Sequence, residues 1–123
     1  MNREILFRGK RIDNGEWAYG YLGVNYRAEI TIETIHTRQE IDPKTIGQYT
    51  GLIDKKMNRI FEGDVMEFDA YGLHYKGEVF FDEGAFCVKC NRPTASTFLM
   101  IALLHDAVCV GNIHDNPELL EGD

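Results

Sequence analysis

EGDVMEFDAYGLHYKGEVFFDEGAF, residues 62–86, holds three runs of alternating character separated by turn residues. Gly63-Asp64 opens the first run, which places Met66 and Phe68 on one face. Gly77 opens the second, with Val79 and Phe81 on one face. Asp82-Glu83-Gly84 turns the chain into a third run, Ala85 to Cys90. Period-two apolar spacing bounded by Gly and Asp is the pattern of antiparallel strands. The stretch therefore reads as the centre of a small, curved antiparallel sheet. No residue in it has the look of catalytic machinery.

Upstream, Glu4 to Arg11 reads as a first strand. Asp13-Asn14-Gly15 is a turn, because Asn and Gly tolerate positive φ. Glu16 to Val24 returns as a second strand and completes an N-terminal β-hairpin. Trp17, Tyr19 and Tyr21 share one of its faces; Ala18, Leu22 and Val24 share the other. Gly20 and Gly23 signal a bulge or a close approach. Ala28 to Ile35, with Ile30 and Ile32 on one face, suits a half-buried strand. His36 to Thr45 reads as a loop, with a short helical turn open at Asp42-Pro43. Gly47 to Leu52 is short and apolar, Asp54 to Asn58 is a polar excursion, and Ile60-Phe61 leads into the centre.

Downstream, Asn91 to Thr97 reads as a loop around Pro93. Phe98 to Leu104, FLMIALL, is the most apolar run. Periodicity does not separate strand from helix there, and Ser96 or Thr97 as a cap tilts the reading to a short helix. Val108 to Ile113 reads as a last strand. Asn116-Pro117-Glu118 begins a short terminal helix. The expected fold is mainly β: a small curved antiparallel sheet or SH3-like barrel, preceded by the hairpin and carrying one or two short helices.

The chain has 123 residues, which suits a single domain spanning 1–123. Apolar residues make up 44% of it, enough for a core. No apolar run approaches the ~18 residues of a membrane span, and the N-terminus lacks the apolar stretch of a signal peptide. The expected location is the cytoplasm. Thirteen basic residues against twenty acidic give a net charge of −7, which disfavours a phosphate-binding surface. Arg3, Arg8, Lys10 and Arg11 form a local basic cluster; such charges also serve simply to guard a strand edge. Cys87, Cys90 and Cys109 cannot all pair within one chain, and without a signal peptide they are expected as reduced thiols.

Five short motifs in order resemble one family. They are REILFR at Arg3 to Arg8, QYTGL at Gln48 to Leu52, IFEGD at Ile60 to Asp64, GEVFFDEGAF at Gly77 to Phe86, and VGNIHDNPELL at Val110 to Leu120. Together they resemble the YopX family of bacteriophages and of prophage regions in mainly Gram-positive bacteria. The resemblance implies a self-associating phage or prophage protein in the host cytoplasm, with no catalytic residue to carry over. Glu62-Gly63-Asp64 and Gly111-Asn112 match its motifs and read as turn chemistry.

Other constellations in the sequence have blander readings beside the sharp ones. Cys87-x-x-Cys90 is half a zinc site that Cys109, His105 or His114 would have to complete. On a strand, though, residues three apart face opposite ways, and buried cysteines act as small hydrophobes. His36, His74, His105 and His114 form no metal-binding motif, and a Cys109–His74 nucleophile pair rests on composition alone. No Gly-rich loop matches a nucleotide-binding pattern, so no cofactor is expected. Glu62, Asp64, Glu67, Asp69, Glu78, Asp82 and Glu83 make an acidic zone, either a solvated face or a decoy mimicking nucleic acid. The stripe Trp17, Tyr19 and Tyr21 is more often core in a small β protein. Exposed, it would be the best interface: with no basic rim for a protein, flanked by Arg8, Lys10 or Arg27 for nucleic acid.

The leading expectation is a non-enzymatic accessory protein that binds another macromolecule through Trp17, Tyr19, Tyr21, Arg8 and Lys10, and forms a homo-oligomer. A nucleic-acid-binding small barrel and an acidic decoy are the alternatives, and an enzyme with a concave titratable pocket comes last.

Overall fold

The computed structural model describes residues 5–103 and 105–121. Arg3 and Leu104 lie outside the described residues, as does the start of the first expected strand. The strands are β1 (Phe7–Lys10), β2 (Trp17–Val24), β3 (Ile30–Glu33), β4 (Arg38–Glu40), β5 (Gly47–Ile53), β6 (Arg59–Phe61), β7 (Asp64–Ala70), β8 (Leu73–Asp82), β9 (Ala85–Arg92), β10 (Ser96–Leu99) and β11 (Val108–Asn112). Helix among the described residues is confined to 3₁₀ turns at Pro43–Thr45, Met100–Leu103 and Pro117–Leu120. No helix among the described residues is long and apolar enough to cross a membrane. The chain divides into two compact units, Met1–Gly51 and Leu52–Asp123.

In the first unit the strand order is β4-β3-β2-β1-β5, all antiparallel. The expected hairpin forms. The Asn14 Oδ1 accepts the Glu16 amide at 2.9 Å, and Gly15 takes φ +72°. The segment after β4 then crosses β1. Ile41 packs where any side chain on Gly9 would collide, and it is 1% exposed. The Thr45 Oγ1 accepts the Lys10 amide at 2.8 Å, while Asp42 caps the Pro43–Thr45 turn by accepting the Lys44 amide. The helical turn at Asp42-Pro43 is therefore present, although the rest of the expected loop is not all loop. Arg38–Glu40 pairs with β3 as an edge strand. Its sequence, Arg-Gln-Glu, has no apolar alternation; backbone pairing and the Arg38–Glu33 ion pair hold it.

In the second unit β10-β9-β8-β7-β11 form an antiparallel sheet. Two-residue turns at Tyr71-Gly72 and Glu83-Gly84 link β7, β8 and β9. Both residues of each turn have positive φ, the mirror-image turn that matches strand twist. The core comprises Ile60, Met66, Phe68, Tyr75, Val79, Val88, Cys90, Met100, Leu103 and Ala107. Phe98 stands 5.1 Å from Phe68 and 5.0 Å from Tyr75, edge to face in both cases.

Three expectations need correction. Phe81 does not share the burial of Val79: it is 51% exposed, because β8 runs beyond the core and Phe81 packs edge to face on Phe86, 4.9 Å away. FLMIALL divides rather than forming a helix. Ser96–Leu99 pairs with β9, and only then does the 3₁₀ turn begin, ending where Leu103 accepts the Ala107 amide. The sheets do not close into an SH3-like barrel, since β10 and β11 end opposite sides of their sheet order. At the terminal turn the Asn116 side chain caps nothing; its Oδ1 accepts from the Asn112 amide at 3.3 Å.

Candidate interaction surface

Residues directly opposed on paired antiparallel strands share a face. Register sets Arg8 opposite Tyr19 and Lys10 opposite Trp17, so β1 and β2 bring Arg8, Lys10, Trp17, Tyr19 and Tyr21 to one side. The structure thus assembles every residue of the expected surface. The Arg8 guanidinium carbon lies 4.5 Å from the centre of the Trp17 ring, and the Lys10 ammonium lies 5.5 Å from it. Both are cation–π contacts. Arg8 is buried at 6% exposure and Trp17 is half-buried. Tyr19 and Tyr21 are open, at 47% and 67%.

The stripe is therefore not core, contrary to the commoner fate of such residues. Ile41 and the Pro43–Thr45 turn cover β1 on the Gly9 side, whereas Tyr19 and Tyr21 point to the other side and stay exposed. Leu22 and Val24 on the opposite face of β2 are exposed too. The far half of β2 is thus a two-sided arm. Its tip is held by Asn25, whose Oδ1 accepts the amides of Arg27 and Glu29. On the Tyr21 side, Glu33 lies over Gly23, accepts from the Thr31 hydroxyl, and pairs with Arg38 at 3.2 Å. Tyr26 and Ile35, in the turns at the two ends of β3, are also strongly exposed. The sequence reading missed these two, although a Tyr inside an Asn-led turn has no face to be buried on.

The cations beside the stripe do not form an open basic rim. Arg8 is spent on Trp17. Arg11 holds Asp13 through two bonds of 3.0 and 2.6 Å, and this contact lowers the Asp13 pKa. Arg27 lies 5.2 Å over its neighbour Tyr26. The charge of the chain is also segregated. Residues 1–51 contain seven basic and seven acidic residues, whereas 52–123 contain six and thirteen, so the whole −7 falls in the second unit.

The other constellations have structural roles. Asp54 is buried at the turn between β5 and β6. Its carboxylate accepts the amides of Lys56, Asn58 and Cys109 at 2.9, 2.8 and 3.0 Å. Burial pushes its pKa up, but these donors outweigh burial and hold it below the usual carboxylate value. The buried Asp64 accepts the Phe61 amide at 2.8 Å and fixes the turn at Gly63. Asn112 accepts the amides of His114 and Asp115, the turn chemistry expected of Gly111-Asn112. Cys87 and Cys90 are buried free thiols, and burial pushes the Cys90 pKa up to about 11. Among the described residues, no group of three or more His, Cys, Asp and Glu is placed to hold a metal. His74 and Cys109 stand on strands that flank β7 from opposite sides. Both His74 ring nitrogens contact carboxylates, Glu67 at 2.7 Å and Asp69 at 2.8 Å.

Comparison with known proteins agrees with this architecture. The family model described as YopX protein matches residues 7–121. The crystal structure of protein EF1440 from Enterococcus faecalis is similar at 26% identity, with a TM-score of 0.63. The match covers 98% of this chain and 100% of that one. No protein among those with curated descriptions matches the chain.

Proposed function

The chain belongs to the YopX family, and from that premise we propose that its first unit is a non-enzymatic, protein-binding module of a phage or prophage protein acting in the host cytoplasm. The observation that carries this reading is the pair Tyr19 and Tyr21, open to solvent on a face whose cations are already engaged. Tyrosines in that position offer rigid apolar area with a hydroxyl at the end, the composition of interface anchors. The rim is made by the Glu33–Arg38 ion pair, and the unit carries no net charge. A partner presenting apolar side chains and hydroxyl acceptors fits such a surface, and its binding should depend weakly on salt. A second copy of this chain is one such partner. The outer strand β4, short and charged, argues for pairing through the face rather than the edge.

A nucleic-acid role would need phosphate contacts that a buried Arg8 and a paired Arg11 do not offer. The decoy reading has one observation in its favour, the concentration of all excess acid in 52–123.

The test is affinity capture of the tagged protein from phage-infected or prophage-carrying cells, with and without nuclease, beside the Tyr19→Ala, Tyr21→Ala double variant. The expected result is a protein that survives nuclease and 0.5 M salt (about 4 Å Debye length) and is lost at least tenfold in the variant. Sedimentation of the purified pair identifies the self-association case. Capture that is equal in both forms, or that is only nuclease-sensitive nucleic acid, would sink the reading.

A further inference from the structure

The second unit carries a cleft of about 240 Å³ between the open end of β8–β9 and the Pro117–Leu120 turn. Its polar wall is unusual for so acidic a unit. Lys76 and Arg92 stand directly opposite each other in the β8–β9 register. Like charges in that position repel. Neither side chain makes an ion pair or hydrogen bond to another described residue. The register shifts between Lys76 and Gly77, and such a bulge re-aims the side chain beside it. Asn91 adds an amide to the same wall. His74 sits at the margin, bridged by Glu67 and Asp69, whose hydrogen bonds raise its pKa and favour the imidazolium. Leu119 and Leu120, half-buried, form the apolar side.

Two carboxylates lie nearby. Glu121 lines the cleft, and Glu67 is opposite Lys76 on β7. Glu67, however, is engaged by His74. What stays unanswered is a planar guanidinium fork, an ammonium and an amide facing one concave space beside two leucines. Arg supplies bidentate geometry for tetrahedral oxyanions, and Lys supplies a point charge.

We propose that this cleft binds a small molecule bearing one phosphate group, with the phosphate on Lys76, Arg92 and Asn91 and an apolar body against Leu119 and Leu120. A long polyanion is excluded by the field of the surrounding unit, which holds all seven excess negative charges of the chain. The site lies in the second unit and does not depend on the protein-binding reading of the first.

The experiment is amide chemical-shift titration of the full chain with phenyl phosphate, inorganic phosphate and, as the uncharged control, benzyl alcohol. Saturable shifts at Lys76, Asn91, Arg92, Leu119 and Leu120 with phenyl phosphate are expected, and none with benzyl alcohol. Arg92→Gln should weaken binding at least tenfold, and Arg92→Lys, which keeps charge without the fork, by an intermediate factor. Both positions are open enough for the substitutions to leave the fold intact, which an otherwise unchanged spectrum verifies. Inorganic phosphate binding as well as phenyl phosphate would assign the free ion as ligand. No saturable shift with either phosphate, or shifts unaltered in a Lys76→Gln, Arg92→Gln variant, would overturn the proposal. The Tyr19→Ala, Tyr21→Ala variant should bind phenyl phosphate normally.

Discussion

Each unit carries aromatic residues on its strands, and the two sets have opposite fates. Phe68 and Tyr75, opposite each other on β7 and β8, are buried at 2% and 4% exposure. Tyr19 and Tyr21 on β2 stay open. Composition does not separate them, since each strand alternates aromatics with smaller or polar residues. The difference lies in what comes back over the face. In the second unit the chain leaves β10, makes the Met100–Leu103 turn and lays Met100, Leu103 and Ala107 into one core with Phe68 and Tyr75. In the first, the returning segment at 41–45 covers the other side of β1. A strand face is a core only when a second layer reaches it.

Substitutions can break or sharpen that contrast. The largest effect is expected from Phe68→Ala, which removes a ring packed against Phe98 and Tyr75. The loss should be about 3–5 kcal/mol in urea unfolding. A loss below ~1 kcal/mol would mean that this cluster is not the core. Next comes Asp54→Ala, which strands three backbone donors and should destabilise by about 2–3 kcal/mol. Because the folded pKa of Asp54 is depressed, its contribution is present above the unfolded value of 3.8 and fades as pH falls through the folded value. The gap in melting temperature between wild type and Asp54→Ala should therefore shrink below pH 4. A gap independent of pH would show that the carboxylate charge is not what the donors recognise.

Gly84→Val forces a β-branched residue to φ +84° in a two-residue turn with open space around it. The cost is backbone strain alone, about 1–3 kcal/mol, and an unchanged melting temperature would contradict the turn. Phe81→Ala should cost only about 1 kcal/mol, its edge-to-face contact with Phe86 plus partial burial, far from a core value. Smallest is Tyr21→Ala, expected within about 0.5 kcal/mol of wild type in stability while weakening capture of the proposed partner. If Tyr21→Ala proved as damaging as Phe68→Ala, the contrast between the two faces would disappear.

His74 offers a gentler comparison with Asp54. Its pKa is raised, first by its bond to Glu67 and then by Asp69, so its contribution is full below the unfolded value of 6.5 and is lost as pH rises through the folded one. The two groups therefore act in opposite directions across the pH scale, and both belong to the second unit.

Local sequence already carried much of this molecule. Alternation around Met66, Phe68 and Val79 marked the central strands, because period two is a property of the backbone itself. Asp13-Asn14-Gly15, Gly63-Asp64 and Glu83-Gly84 marked their turns, because positive φ and Asx hydrogen bonding are decided within three or four residues. The stripe Trp17, Tyr19 and Tyr21, with Arg8 and Lys10 beside it, followed from parity within a hairpin. Elements held by distant partners were not legible. Arg38–Glu40 is a strand only because β3 offers its edge, and FLMIALL changes from strand to 3₁₀ turn where pairing with β9 stops. The polar excursion at Asp54 concealed a buried carboxylate whose third donor, Cys109, lies 55 residues further on. Which aromatic face is shut, which end of β8 escapes the core, and that Lys76 and Arg92 share one wall of a cleft all depend on long-range return of the chain. Sequence fixes the direction in which each side chain points; only tertiary structure supplies, or withholds, the layer it points into.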